Sequence, residues 1–243
     1  MGRRIALISD QHANDVAFEA VADDIERIGV DEIICLGDVA QGGAQPVETL
    51  ARLRRLGAET VLGNADDFLL EVPTDSAEEV TDSQLAVRDW TLGRLAPEDL
   101  ELIRGFRPTI ERTFDGRTML CFHGSPRSYE DVLLPGAEGV AVEPWLADAD
   151  ILVGGHVHRQ WTRQIGRALF VNPGSVGLAF DQHVSEDDVR VRPVAEYAIA
   201  FVGDAGVSVE FRRVPYSLQE LRQTVIASGR PEAEAHLALY ADT

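Results

Sequence analysis

Short apolar runs alternate with amphipathic stripes along the first sixty residues. IALIS (5–9) precedes a segment whose Phe18, Val21, Ala22, Ile25 and Ile28 fall on one face at helical spacing. EIICLG (32–37) follows, then PVETLARLRRLG (46–57), where Val47, Leu50, Leu53 and Leu56 make a second stripe, and then TVLG (60–63). Strand–helix–strand alternation of this kind predicts parallel strands joined by crossover helices.

Residues 66–105 break the rhythm. They are acidic and helix-patterned through SQLAVRDWTLGRL and PEDLELIRGF, which predicts a helical insertion over one end of the sheet. Its Phe68, Leu69, Trp90 and Leu92 either wall a nearby site or pack the insertion's own core. Strands resume at TIERTFDGRTMLCFHG, where Asp115-Gly116 marks a hairpin. A short helix is expected near EPWLADA. Further strands are expected at DILVGG, ALFVNPG and EYAIAFVGDAGVSVEFRRV, the last turning at Asp204-Ala205-Gly206. The polar tail, 216–243, is again helix-patterned. Parallel strands first and hairpins later predict an α/β fold: a four-layer αββα sandwich of two mixed sheets with outer helices, one domain over 1–243.

Composition narrows the function. With 243 residues and 45% hydrophobic content the chain has enough apolar material for one large core. No apolar stretch is long enough to cross a bilayer, and the run after Arg3-Arg4 is too short for a signal-peptide core. A cytoplasmic protein is expected. The formal charge of −19 argues against binding duplex DNA or an anionic membrane, and makes an anionic substrate a puzzle unless the field is reversed locally. All 22 basic residues are arginine, which excludes a phosphate-binding P-loop lysine, a Schiff-base lysine and a Ser–Lys dyad. Cys35 and Cys121 lie inside apolar runs without C-x-x-C spacing and are expected to be buried, reduced thiols.

Six apolar runs end in or beside a potential metal ligand. IALIS leads to Asp10 and His12, IICLG to Asp38, TVLG to Asn64, MLCF to His123, ILVGG to His156 and His158, and LFV to Asn172. The carboxyl ends of strands in an open α/β sheet share one edge, so these side chains can converge. Two imidazoles at i and i+2 after an apolar strand are costly to bury without a shared cation. Seven donors (Asp10, His12, Asp38, Asn64, His123, His156 and His158) are too many for one catalytic ion with an open position and suit two ions bridged by a carboxylate. Carboxylate, imidazole and amide donors without thiolate fit two divalent ions, Mn²⁺ first, with Fe, Zn²⁺ or Ni²⁺ as alternatives. Such a centre is locally cationic and resolves the charge puzzle.

SDQHAN, LGD, GNAD, FHGSP, GGHVH and NPGS, in that order, resemble the calcineurin-like metallophosphoesterase superfamily, and in particular its small single-domain prokaryotic phosphodiesterase branch. The likeness spans residues 5–180. It implies a double-sheet sandwich and a two-metal centre. One metal takes Asp10, His12, Asp38 and His158; the other takes Asp38, Asn64, His123 and His156, with Asp38 bridging. It implies hydrolysis of phosphate esters by in-line attack of a hydroxide held between the metals, with Asp38, Asn64 and His123 at the reacting centre. Ser125 and Ser175 lack the His/Asp partnership of a nucleophile and are expected in turns. Arg127 and Arg159 are candidates to clamp the phosphate, with surface ion pairs as the alternative. Asn14, Asp66 and Asn172 are candidate braces for the ligands, Asn14 equally an N-cap. His183 is expected in an exposed loop.

One position departs from the resemblance. Much of the superfamily has Gly-Asn-His-Asp/Glu where this chain has Gly63-Asn64-Ala65-Asp66. The missing histidine is understood to assist the leaving group, and Asp66 loses the imidazole it would orient. Phosphodiesters with good leaving groups are therefore expected over alkyl monoesters, on a small substrate such as a nucleotide or cyclic nucleotide. The alternatives are a phosphomonoesterase or protein phosphatase on the same site, or a non-catalytic protein-assembly scaffold.

Overall fold

A computed structural model describes residues 2–72, 80–136, 149–181, 190–204 and 206–240. The first apolar run is β1 (Arg3–Ile8) and the first stripe is α1 (Asp15–Ile28). Asn14 caps α1 by accepting the Ala17 N–H, and the helix stops at Gly29, whose φ of 72° suits glycine. β2 (Glu32–Cys35), α2 (Pro46–Leu56) and the two-residue β3 (Glu59–Thr60) complete the parallel unit. Proline at the first position of α2 and left-handed Gly57 after its last explain its limits.

The insertion is three helices, α3 (Asn64–Leu70), α4 (Asp82–Leu92) and α5 (Pro97–Arg104). Then come β4 (Ile110–Phe114), β5 (Arg117–Cys121), β6 (Ile151–Val153), β7 (Gln160–Ile165), β8 (Ala168–Pro173), β9 (Val194–Gly203), β10 (Gly206–Pro215), α6 (Leu218–Ser228) and α7 (Ala233–Ala238). The strands form two mixed five-stranded sheets, ordered β10-β9-β1-β2-β3 and β4-β5-β6-β8-β7. The hairpin at Asp115-Gly116 is present, both residues having positive φ. β7 (QWTRQI) was not expected from the pattern: it is a largely exposed edge strand that carries no apolar run. The helix expected near EPWLADA rests on 143–148, and His183 on 182–189, both outside the described residues.

Between the sheets Ile5, Leu7, Ile34, Leu36, Met119, Cys121, Ile151, Val153 and Val171 are buried together. Each such aliphatic side chain stabilises the fold by about 1.5–3 kcal/mol. On the outer face of the first sheet, Phe18, Val21 and Ile25 of α1 pack with Leu50 and Leu53 of α2. Leu69 and Ile103 from the insertion join this cluster, with Leu92 against it, so Leu69 and Leu92 serve packing. Half-buried Phe68 sits under the Arg88 guanidinium, and Trp90 under that of Arg94. On the second sheet's outer face, Phe122, Leu152 and Phe170 are covered by Leu133, with Trp161 stacked on Phe170. Both cysteines are free and buried, and burial pushes the Cys35 thiol up to about 12.

Register brings the strand ends to one edge. Ile8 of β1 lies opposite Cys35 of β2, so the Asp10 N–H reaches the Gly37 carbonyl (2.9 Å) and the His12 N–H that of Asp38 (2.9 Å). In the other sheet Cys121, Val153 and Val171 are aligned, and the Gly155 N–H bonds the His123 carbonyl (2.8 Å). Val176 N–H to the Ser9 carbonyl (2.9 Å) ties the two edges together.

Candidate metal centre

Five of the seven expected donors sit in the left-handed backbone region: Asp10 (φ 56°), His12 (45°), Asp38 (57°), His156 (71°) and His158 (53°). L-residues there cost about 1 kcal/mol or more each, and such strain concentrates where function demands a side-chain direction. Two glycines permit the crowding. A Cβ on Gly63 would stand 2.1 Å from Asp38 Oδ1, and one on Gly155 would stand 2.2 Å from Ser9 Oγ.

The donors form two clusters. Asp10, His12 and His158 make the first; Asp38, His123 and His156 make the second. His12 Nε2 lies 3.1 Å from His158 Nε2, which is 3.1 Å from Asp10 Oδ1. His123 Nε2 lies 3.2 Å from His156 Nδ1 and 3.1 Å from Asn64 Oδ1. Asp38 Oδ2 stands between the clusters, 3.6 Å from His12 Nε2 and 3.4 Å from His123 Nε2. All seven sequence-predicted donors therefore converge.

Three rings are aimed by carbonyls. The Nδ1–H of His12 donates to Gln41 O (3.0 Å), that of His123 to Leu36 O (2.7 Å) and that of His158 to Leu178 O (2.9 Å). In the neutral ring this fixes the tautomer and leaves each Nε2 as a lone pair facing the site. Neutral rings thus put lone pair against lone pair, and Asp10 Oδ1 is buried without a hydrogen-bond donor among the described residues. Positive charge between these atoms relieves both conditions. Electrostatics agree: burial would raise the Asp10 carboxyl, yet His158, His123 and His12 draw it below its ordinary value. Burial opposes a charge on His123, but Asp38 and Asp10 push its pKa up to about 10. His12 and His156 are lowered, by burial first. The residues present fit two divalent cations, and their oxygen and imidazole set fits borderline metals.

A family model for the calcineurin-like phosphoesterase superfamily domain matches residues 4–189. The chain belongs to that superfamily. Calcineurin-like phosphoesterases are metal-dependent hydrolases of phosphate esters, and this chain has two side-chain clusters that could each hold a metal ion. An uncharacterised protein of Methanocaldococcus jannaschii is 25% identical over 234 residues, 94% of each chain. A crystal structure of a metallophosphoesterase from Sphaerobacter thermophilus is 27% identical, with a TM-score of 0.72 over 97% of this chain and 99% of that one. A hypothetical protein from Pyrococcus horikoshii shares the fold, with 17% identity and a TM-score of 0.77 over 98% and 97%.

Around this calcineurin-like centre the remaining candidates divide. Asp66 is fully buried and accepts the N–H groups of Asp38 (2.7 Å), Val39 (2.8 Å) and Gly63 (3.2 Å). It staples the LGD and GNAD loops together; burial, then Asp38, raises its carboxyl to about 7. The Ala65 N–H donates to Asp38 Oδ1 (2.8 Å), leaving Oδ2 for the clusters. Asn172 donates to Gly155 O (2.7 Å) and accepts from the Gly174 N–H (3.0 Å), bracing the GGHVH loop. Asn14 is both the helix cap and a donor to Gly177 O (3.0 Å). Ser125 and Ser175 are turn residues, bonded to Asp131 (2.5 Å) and to Asp10 O (2.8 Å). Arg127 pairs with Asp131 (3.5 Å), and Arg159 is half-buried, without a hydrogen bond or ion pair among the described residues.

Three neighbours escaped the sequence reading. Phe180 packs against His158 at 4.5 Å between ring centres, with the rings tilted by 37°. Arg230 and His236, from the tail, are buried beside the first cluster. No strand or motif leads to the last two, so the sequence carries no signal for them.

Proposed function

We propose that the chain is a two-metal phosphodiesterase. One metal is held by Asp10, His12, Asp38 and His158, the other by Asp38, Asn64, His123 and His156, and Mn²⁺ is the ion of first choice. The observation that carries this reading is the position of Asp38 Oδ2, within 3.6 Å of a ring nitrogen from each cluster. When bound, a pair of divalent cations supplies an activated water at neutral pH and neutralises the phosphoryl oxygens. The chain's part is to fix that pair. The Ala65 N–H holds one Asp38 oxygen, Asp66 holds the Asp38 backbone, and three carbonyls hold the rings.

Ala65 offers no proton to a departing alkoxide, and Asp66 is engaged by three backbone donors. General-acid help is typically worth 10²–10⁴-fold. Activated phosphodiesters, including nucleotide and cyclic nucleotide diesters, are thus favoured over alkyl monoesters. Metal-stripped protein is to be assayed on bis(p-nitrophenyl) phosphate with and without Mn²⁺, beside a panel of alkyl phosphomonoesters. Metal-dependent turnover of the diester alone supports the reading. Equal turnover of alkyl monoesters overturns the diester preference, and no metal-dependent turnover returns the chain to the scaffold alternative.

A further inference from the structure

The polar tail docks on the rim of the first cluster. Tyr240, Leu221 and Val225 are buried with Ala44 and Val191, and Leu178 and Phe180 pack against them. The Val191 N–H bonds Leu239 O (2.7 Å). The tail therefore touches both loops that carry the ring-aiming carbonyls of the first cluster.

Arg230 makes the more direct connection. It is 8% exposed; its Nη2 donates to Gly42 O (2.7 Å) and its Nη1 to Glu232 O (2.9 Å). Gly42 follows Gln41, whose carbonyl fixes His12, and a Cβ on Gly42 would stand 3.5 Å from His12 Nδ1. At the other loop, the Tyr240 hydroxyl donates to Gly177 O (3.2 Å), next to Leu178, whose carbonyl fixes His158. Among the described residues Arg230 has no carboxylate partner within ion-pair distance. A desolvated guanidinium spent on two carbonyls is costly to bury, and the two bonds show what it secures.

We infer that Arg230 is a positioning residue for His12, with Tyr240 in a lesser role for His158, so that the C-terminal segment completes the first metal site and not the second. His123, in contrast, is aimed by Leu36, a fully buried residue of the inter-sheet core, in which no described tail residue takes part. The inference rests on the two clusters each holding a metal ion.

The test is equilibrium Mn²⁺ binding to the full chain, followed by calorimetry and by the electron paramagnetic resonance of bound Mn²⁺. Wild type is expected to bind two equivalents and give a coupled two-manganese spectrum. Arg230→Ala should weaken one equivalent by about tenfold, the low end for groups that orient a ligand, and leave the other within about twofold. A single-ion spectrum should then appear at one equivalent. Arg230→Lys, which keeps a donor for Gly42 O, should recover most of the loss. Tyr240→Phe, which removes one hydroxyl, should weaken the same equivalent, by less than Arg230→Ala does. If Arg230→Ala does not fold, the Lys and Phe variants still give the reading. Both equivalents weakening together, or neither changing, overturns the inference. Wild type binding no metal overturns the two-metal reading itself.

Discussion

His123 hangs from the end of β5 and is aimed by a carbonyl inside the core between the sheets, whereas His12 and His158 are aimed by carbonyls on loops. Through His123 the second cluster is anchored to the packing between the sheets. The first depends on loops 39–45 and 177–181 and on whatever holds them. Buried carbonyls in a sheet core move only when the core opens, while loops fluctuate at lower free-energy cost. Asp38 joins the two regimes, since its backbone belongs to the β2 edge and its Oδ2 faces both clusters.

The strongest way to break this comparison is to remove what the clusters share. Asp38→Asn should lower diester hydrolysis by about a thousandfold or more and reduce bound metal below one equivalent, because in the proposed two-metal centre each ion loses a charged ligand. Metal content and turnover measured on one sample check it; two retained ions would mean that Asp38 bridges nothing. Next in size is Asp66→Ala, which strands three buried N–H groups and should cost about 3 kcal/mol or more of stability by denaturant unfolding. Because both loops it staples bear proposed ligands of the second ion, that ion should weaken more than the first. Smaller again is Ala65→His, which returns an imidazole beside Asn64 and should raise alkyl-ester turnover relative to bis(p-nitrophenyl) phosphate by about tenfold. An unchanged ratio would show that leaving-group protonation does not limit the rate.

The sequence was most legible where backbone regularity sets position. Alternation of apolar runs and stripes marks β1, α1, β2 and α2, and the same regularity places Asp10, Asp38, Asn64 and His123 at one edge, because strands in register end together. Asp115-Gly116 was legible because few residue pairs tolerate two positive φ values in succession. β7 was not, because an exposed edge strand buries too little to need an apolar run. Asp66 was read as a candidate brace, but not that it binds three backbone N–H groups from two loops, because such bonds leave no side-chain pattern to read. The tail was read as helix-patterned, and α6 and α7 are there, but an amphipathic stripe says that a face is buried and not against what. Arg230 and Tyr240 reach the site only through tertiary docking.

The same docking makes the first cluster the more acid-sensitive half, the smallest effect expected. His236 is 8% exposed, its Nε2 has no hydrogen-bond partner among the described residues, and its ring meets that of Tyr240 edge-on at 5.8 Å. Burial first, then the charges of Arg230 and His12, lower its pKa from 6.5 to about 3. The folded state therefore keeps this imidazole neutral while the unfolded chain takes up a proton below pH 6.5. Stability is fully present above that pH and falls as the pH drops from about 6.5 toward 3. Between pH 7 and 5.5 one such group removes about 1 kcal/mol. Thermal unfolding of metal-free wild type and His236→Gln across that range checks it: the wild-type curve should fall more steeply, and the tail's amides should exchange with solvent before those of β5. Parallel curves would mean that the proton is taken up elsewhere, and loss of protection in β5 first would reverse the order of the two clusters.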